Sequence, residues 1–295
     1  MPEVDVFIIG VPKAGTTWLA HTLNQHNKIV LSDPKEPNII ASHRGTFVRT
    51  EEEPDWTKFK THFNGKGLKL DASIHAFACP LAPSRIHERM PNAKFILCLR
   101  EPVSRSFSHW NMVLNTKEAI TNDIDWSTFE KAWLDNRLSD DSMYGSSMSR
   151  WLKEFDLGQF IIVDSGRLKS DPNSALIEIE NFLDIENYNY NIEQSKHSNS
   201  AISRRPITSM GKLTRIFFSL IPDKLKLPIV EKLQKRDLNI YSLPILSKKG
   251  IVNELGNIHY NICGEELIKE LKLFEEITHF NTEIWRNEIN RRISN

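Results

Sequence analysis

Apolar residues gather into five short runs, separated by longer stretches in which they recur every three or four positions. The runs cover Val4–Gly10, Lys28–Leu31, Leu68–Leu70, Ala93–Leu99 and Gln159–Asp164, and each predicts a strand. Ala93–Leu99, AKFILCL, is apolar on both faces, as a central parallel strand is. Helical spacing begins at Thr16 and returns over Pro83–Met90, from Pro102 onward, over Asn122–Asn136 with Trp126, Phe129 and Trp133, over Met143–Phe155 and over Asn173–Leu183. A final amphipathic helix is predicted from Gly264 to Trp285, and Tyr188–Pro206 is too polar for anything but a long loop.

The chemistry starts between the first strand and the first helix. Val4–Leu23 reads VDVFIIGVPKAGTTWLAHTL: a β-rich run ending at Gly10, a loop with Pro12, Lys13 and Gly15, and a helical pattern from Thr16. Glycine lets the backbone curve around an anion, the N–H groups opening the helix point at it, and Lys13 adds positive charge. A nucleoside triphosphatase loop has Lys followed by Ser or Thr directly after its last glycine. Here Gly15 is followed by Thr16 and Thr17, and the lysine stands back at position 13. That suits an anion whose Mg²⁺ is not held by the loop; the plain alternative is a glycine turn after a buried strand. The arrangement resembles the 5′-phosphosulfate loop of sulfotransferases that use 3′-phosphoadenosine 5′-phosphosulfate (PAPS). The resemblance assigns Lys13, Ala14, Gly15, Thr16, Thr17 and Trp18 to donor binding.

The strongest strand ends in REPVSRSFSHW. Arg100 stands where the strand gives out, Pro102 and Val103 open a helix, and Arg100 with Ser108 can offer a guanidinium fork and a hydroxyl to one phosphate. This segment resembles the 3′-phosphate site of the same family, in the same order along the chain. The resemblance spans residues 4 to about 290. It implies a single α/β domain over 1–295, a P-loop-like fold with a central parallel β-sheet flanked by helices. It also implies direct in-line transfer from PAPS with release of adenosine 3′,5′-bisphosphate (PAP), and a basic loop that closes on the nucleotide, here Lys196, Arg204 or Arg205. Leu157-Gly158-Gln159 entering a strand and Asp171-Pro172 before a helix resemble the bacterial and heparan-sulfate-type members; Asp171 can cap that helix with Pro172 in its first turn.

The acceptor's base is less sharply written. Glycan-type enzymes carry a Lys-Glu-x-His-Phe-Phe-Asp pattern; this chain keeps Lys35-Glu36 but has Asn38 and Ala41 at the histidine and aspartate positions. Glu36 is the expected base, assisted by Lys35 and Lys69, with a solvated surface glutamate as the alternative reading, while Lys13 is expected to offset charge developing on the leaving phosphate. His43, Asp71, His75 and His109 are substitutes, Asp71 and Ser73 lying where groups converge at the carboxyl end of a strand. The altered pattern turns the expectation toward a small-metabolite hydroxyl or amine as acceptor. A glycan O- or N-sulfotransferase and a non-catalytic PAPS-binding protein are the alternatives, and a kinase the remaining one.

Composition narrows the setting. Lys+Arg and Asp+Glu both number 38 over 295 residues, so no global charge argues for nucleic acid. The three cysteines, Cys79, Cys98 and Cys263, are not spaced as metal ligands, so no metal is expected, and with no basic leader at Met1–Asp5 and no membrane-length apolar run they predict a cytoplasmic monomer or homodimer. Residues 45–64 and 188–247 are the expected acceptor-site or lid segments.

Overall fold

In the computed structural model, which describes residues 4–192 and 253–294, each of the five apolar runs is a strand. They are β1 (Val6–Gly10), β2 (Ile29–Leu31) and, after a small antiparallel ribbon of β3 (His43–Arg44) and β4 (Val48–Arg49), β5 (Leu68–Asp71), β6 (Lys94–Leu99) and β7 (Phe160–Asp164). The ribbon has no counterpart in the predicted elements because two-residue strands carry no periodicity. The sheet runs β2-β5-β1-β6-β7 with every pairing parallel, in registers such as Phe7 opposite Asp71 and Phe7 opposite Phe95. All five positions of β1 and all but Lys94 of β6 are buried, which is why these strands lack alternation. The chain leaves β1 to one side and returns past it to reach β6, so ligand-binding groups are expected outside the carboxyl ends of β1 and its neighbours.

Helices cover the sheet. The first four are α1 (Thr16–Leu23), α2 (Trp56–Lys60), α3 (Ala82–Arg89) and α4 (Pro102–Thr116). α4 starts where it does because Glu101 accepts from the N–H groups of Val103 and Ser104 at 2.9 and 2.7 Å, with Pro102 in the first turn. Asp171 likewise caps Pro172–Leu183 through Ser174 N–H. On one face of the sheet Phe95 stacks on Phe160 with centroids 4.8 Å apart and meets Trp151 and Phe155 edge-on at 5.0 and 4.6 Å.

Two helix expectations need correction. Asn122–Asn136 is helical only at Phe129–Trp133 and Asn136, because Trp126 turns inward before the helix, its indole N–H donating to Asp135 at 2.9 Å. The final helix is two, Asn257–Thr278 and Glu283–Ile293, separated by His279 in the left-handed region (φ +60°). Of the expected lid segments, 45–64 holds the ribbon turn and α2. Most of 188–247, with Lys196, Arg204 and Arg205, lies outside the described residues.

Candidate active site

The loop after β1 is shaped by close approach. A Cβ on Gly10 would lie 2.9 Å from Phe77 Cβ and 3.2 Å from the Ile74 carbonyl, so only glycine lets β1 pass the segment following β5. Gly15 takes φ +87° and opens α1 without any side-chain cap or first-turn acid. The first N–H groups of α1, at Thr16, Thr17 and Trp18, therefore have no helical partner and no competing carboxylate, the condition of an anion cradle. Ala14 and Thr16 are buried beneath the loop.

One face of α4 runs along this loop. Ser104, Ser108 and Met112 stand four residues apart and so share a face. Arg100 Nε donates to Ser104 Oγ at 3.0 Å and its Nη1 to the Lys13 carbonyl at 3.4 Å. Farther along, Lys13 Nζ donates to Met112 Sδ at 3.5 Å. Between them lies Ser108, half-buried, whose hydroxyl has no hydrogen bond among the described residues. Arg100 thus meets the hydroxyl of Ser104 rather than that of Ser108, which lies one turn farther along the same face; sequence reading passed over Ser104 although its spacing of four from both residues was visible. Tyr144 steadies the start of this row, its hydroxyl donating to the Arg100 carbonyl at 2.8 Å.

The segment bearing Glu36 is tied to the end of β5 through Ser73. Glu36 is ion-paired with the neighbouring Lys35 ammonium, and both are half-buried. Burial and the positive charge of Lys35 together lower the pKa of His21, so Lys35 lies on the α1 side of the site. Ser73 Oγ accepts from Asn38 N–H at 3.1 Å, while Ser73 N–H donates to Asp71 Oδ1 at 2.7 Å. The Lys35–Asn38 loop is thereby fastened to the carboxyl end of β5. Burial pushes the Asp71 carboxyl up to about 6, against the lowering effect of its Ser73 bonds and with a further push from Glu36. Lys69 stands two residues before Asp71 along β5, on the same face of the strand, and is half-buried.

The charges that act on His43 are those of Arg49, Asp141, His75 and Arg150. His43 belongs to a separate buried cluster with His75, His109, Arg105 and Asp141, which the spread of these residues over a hundred positions hid from sequence reading. Asp141 Oδ2 has His75 Nδ1 and His109 Nδ1 at 3.6 Å and Arg105 Nη1 at 3.7 Å. Burial alone would raise the Asp141 pKa, but these basic side chains hold it well below the carboxylate range. His109 Nδ1 faces Arg105 at 3.3 Å and Nε2 faces Thr46 Oγ1 at 3.0 Å. Burial first, then the charge of Arg49, drives His43 down to about 4, so it is neutral at pH 7. Among the described residues no set of three His, Cys, Asp or Glu side chains has metal-holding geometry, and no helix is long and apolar enough to cross a membrane.

The sequence matches the family model "Sulfotransferase domain" over residues 3–215. It is 30% identical over 192 residues to heparan sulfate glucosamine 3-O-sulfotransferase 5 of Mus musculus, covering 60% of this chain and 52% of that protein. It is 28% identical over 197 residues to bifunctional heparan sulfate N-deacetylase/N-sulfotransferase 4 of the same organism, covering 62% of this chain and 22% of that one. The chain thus spans about half the length of the first relative and less of the second. A sulfotransferase structure from Alicyclobacillus acidocaldarius superposes with a TM-score of 0.63 at 15% identity, over 96% of this chain and 98% of that one, and shares the fold.

Proposed function

The chain belongs to the sulfotransferase domain family and is a sulfotransferase, and from that premise we propose that it moves a sulfuryl group from PAPS to a hydroxyl or amine of a saccharide. The carrying observation is the two-ended anion cradle: the uncapped start of α1 beside Lys13 at one end and Arg100, Ser104 and Ser108 at the other, joined through Lys13 itself. The residues fit a ligand bearing one anionic group at each end. Bound there, PAPS supplies the sulfuryl group and leaves as PAP.

In this reading Lys13 and the N–H groups of Thr16 and Thr17 offset negative charge that grows on the departing phosphate oxygen. Arg100 and Ser108 hold the 3′-phosphate, and the guanidinium fork sets its orientation. Glu36 takes the proton of the acceptor hydroxyl or amine as the new bond to sulfur forms and the bond to the phosphate oxygen breaks. Lys35 orients Glu36, and Asp71, protonating near pH 6, supplies a second carboxyl linked to that loop through Ser73. Sequence patterning pointed to a small metabolite; the names of the relatives favour a saccharide, one of them a hydroxyl sulfotransferase and the other an amine sulfotransferase. The free, buried thiols of Cys79, Cys98 and Cys263 support a reducing, cytoplasmic setting.

The test is transfer of labelled sulfate from PAPS to saccharides and to small hydroxyl and amine metabolites, with Lys13→Ala and Glu36→Gln run in parallel. Lys13→Ala is expected to lower kcat about 100-fold or more, a typical loss for one charge-stabilising donor, while weakening PAP binding much less. Equal losses in turnover and PAP affinity refute its transition-state role. Glu36→Gln with near-normal single-turnover rates removes Glu36 as the base, and transfer confined to small metabolites refutes the saccharide assignment.

A further inference from the structure

A concavity opens near the end of the loop that carries Glu36, lined by residues outside the site described above. It measures about 810 Å³, within the range of small-ligand sites, and its walls come from Ser42 and His43, from β4 and the residues after it, and from the first turns of α3. The segment bearing Ser42 and His43 continues the loop that carries Glu36, and α3 follows the carboxyl end of β5, so the cleft lies at the ligand-binding end of the sheet. His43 spans from the cleft wall to the Asp141 cluster. His109 of that cluster precedes by one turn Met112, the partner of Lys13.

Its charge is unlike what a polysulfated chain requires. Glu51, Glu53 and Glu88 face two cations, Arg49 and Arg85, leaving one negative charge in excess, and His43 is neutral at pH 7. Arg85 is held by the protein through both of its Nη atoms, Arg49 through Nη1 alone. Arg85 donates to the Ile40, Glu51 and Glu52 carbonyls at 2.9, 3.2 and 2.9 Å, and Arg49 Nη1 to those of Gly45, Thr46 and Val48 at 3.3, 3.1 and 3.0 Å. Glu53, by contrast, has a side chain 87% exposed and stands 3.7 Å from Arg85. Two hydroxyls keep hydrogen-bonding capacity: Thr50 Oγ1 accepts from Glu52 N–H and retains its own proton, while Ser84 Oγ donates to the Leu81 carbonyl and retains its lone pairs.

We infer that this cleft holds the part of the acceptor remote from the transfer point, and that it selects a hydroxyl-rich saccharide that is uncharged or carries free ammonium groups over one already bearing sulfates. The inference rests on the saccharide reading and narrows it. Sulfate groups there would meet three carboxylates against two guanidiniums, one of them held by three carbonyls and an ion pair, whereas hydroxyls and ammonium groups would find acceptors on Glu51, Glu53 and Ser84 and a donor on Thr50.

The experiment measures equilibrium binding of three length-matched oligosaccharides to the full chain with PAP present: glucosamine oligomers, N-acetylglucosamine oligomers and heparin fragments. Sulfate transfer to each is recorded separately. Glucosamine oligomers should bind tightest and heparin fragments weakest, and Glu53→Lys with Glu88→Lys should weaken the glucosamine oligomer about threefold per charge and tighten the heparin fragment by a similar factor. These two glutamates are exposed, so a lysine at either keeps the fold, and circular dichroism verifies it. Tightest binding by the heparin fragment, or affinities that the two substitutions leave unchanged, overturns the inference. The saccharide-transfer reading fails by a different sign: acceptors bind in the expected order but none receives sulfate.

Discussion

Replacing Asp71 by Asn should stabilise this protein at high pH and not at low pH. Asp71 is 2% exposed at the end of β5, opposite Phe7 of β1, and its Oδ1 accepts from Ser73 N–H at 2.7 Å. Burial is the largest influence on it and drives its pKa from 3.8 to about 6. The unfolded chain ionises this carboxyl more readily than the folded one, so the folded state holds its full stability below about pH 4 and loses it as pH rises through 6. The displacement corresponds to about 3 kcal/mol at ~1.36 kcal/mol per pH unit. Asparagine has nearly the same shape and keeps the Oδ1 acceptor for Ser73, but cannot ionise. Urea unfolding of both proteins at pH 4, 6 and 8 isolates the effect, because any cost of housing the amide N–H groups is present at every pH. The variant should gain about 3 kcal/mol relative to the native chain between pH 4 and pH 8. A stability difference that does not change with pH, or that moves against the variant as pH rises, refutes a buried, reluctantly ionised Asp71.

Arg100→Lys keeps the charge but loses the fork that spans Ser104 and the Lys13 carbonyl; PAP affinity measured by calorimetry should fall about tenfold or more, and unchanged affinity would remove Arg100 from the phosphate site. Gly10→Ala forces a methyl to within 2.9 Å of Phe77 Cβ and should cost about 1–3 kcal/mol in a denaturant titration, with native-like stability showing that the contact relaxes freely.

β1 and β6 were the most legible strands because both faces are buried and each writes itself as an unbroken apolar run, beginning and ending within two residues of the pattern that predicts it; the edge strands β2 and β7 are partly exposed. The loop from Lys13 to Thr17 and the row from Arg100 to Ser108 were legible for a related reason. A left-handed turn between strand and helix calls for glycine, which stands at Gly15, and Arg100 directly follows the last residue of β6, just before the proline that opens α4. The long final helix pattern misled because apolar spacing continues past His279, while the left-handed turn there depends on how two helices pack.

The sequence by itself determined the five strands of the sheet, the glycine-turned loop after the first of them and the family, because these rest on local conformation and short spacings. Only the tertiary structure decided that Asp71 and Asp141 are buried, that Ser73 fastens the Glu36 loop to β5, that His43 lies in the field of Asp141 and His75, and that carboxylates outnumber cations in the cleft beyond it. Burial and charge balance are sums over neighbours drawn from positions tens of residues apart, and no local pattern in the chain encodes them.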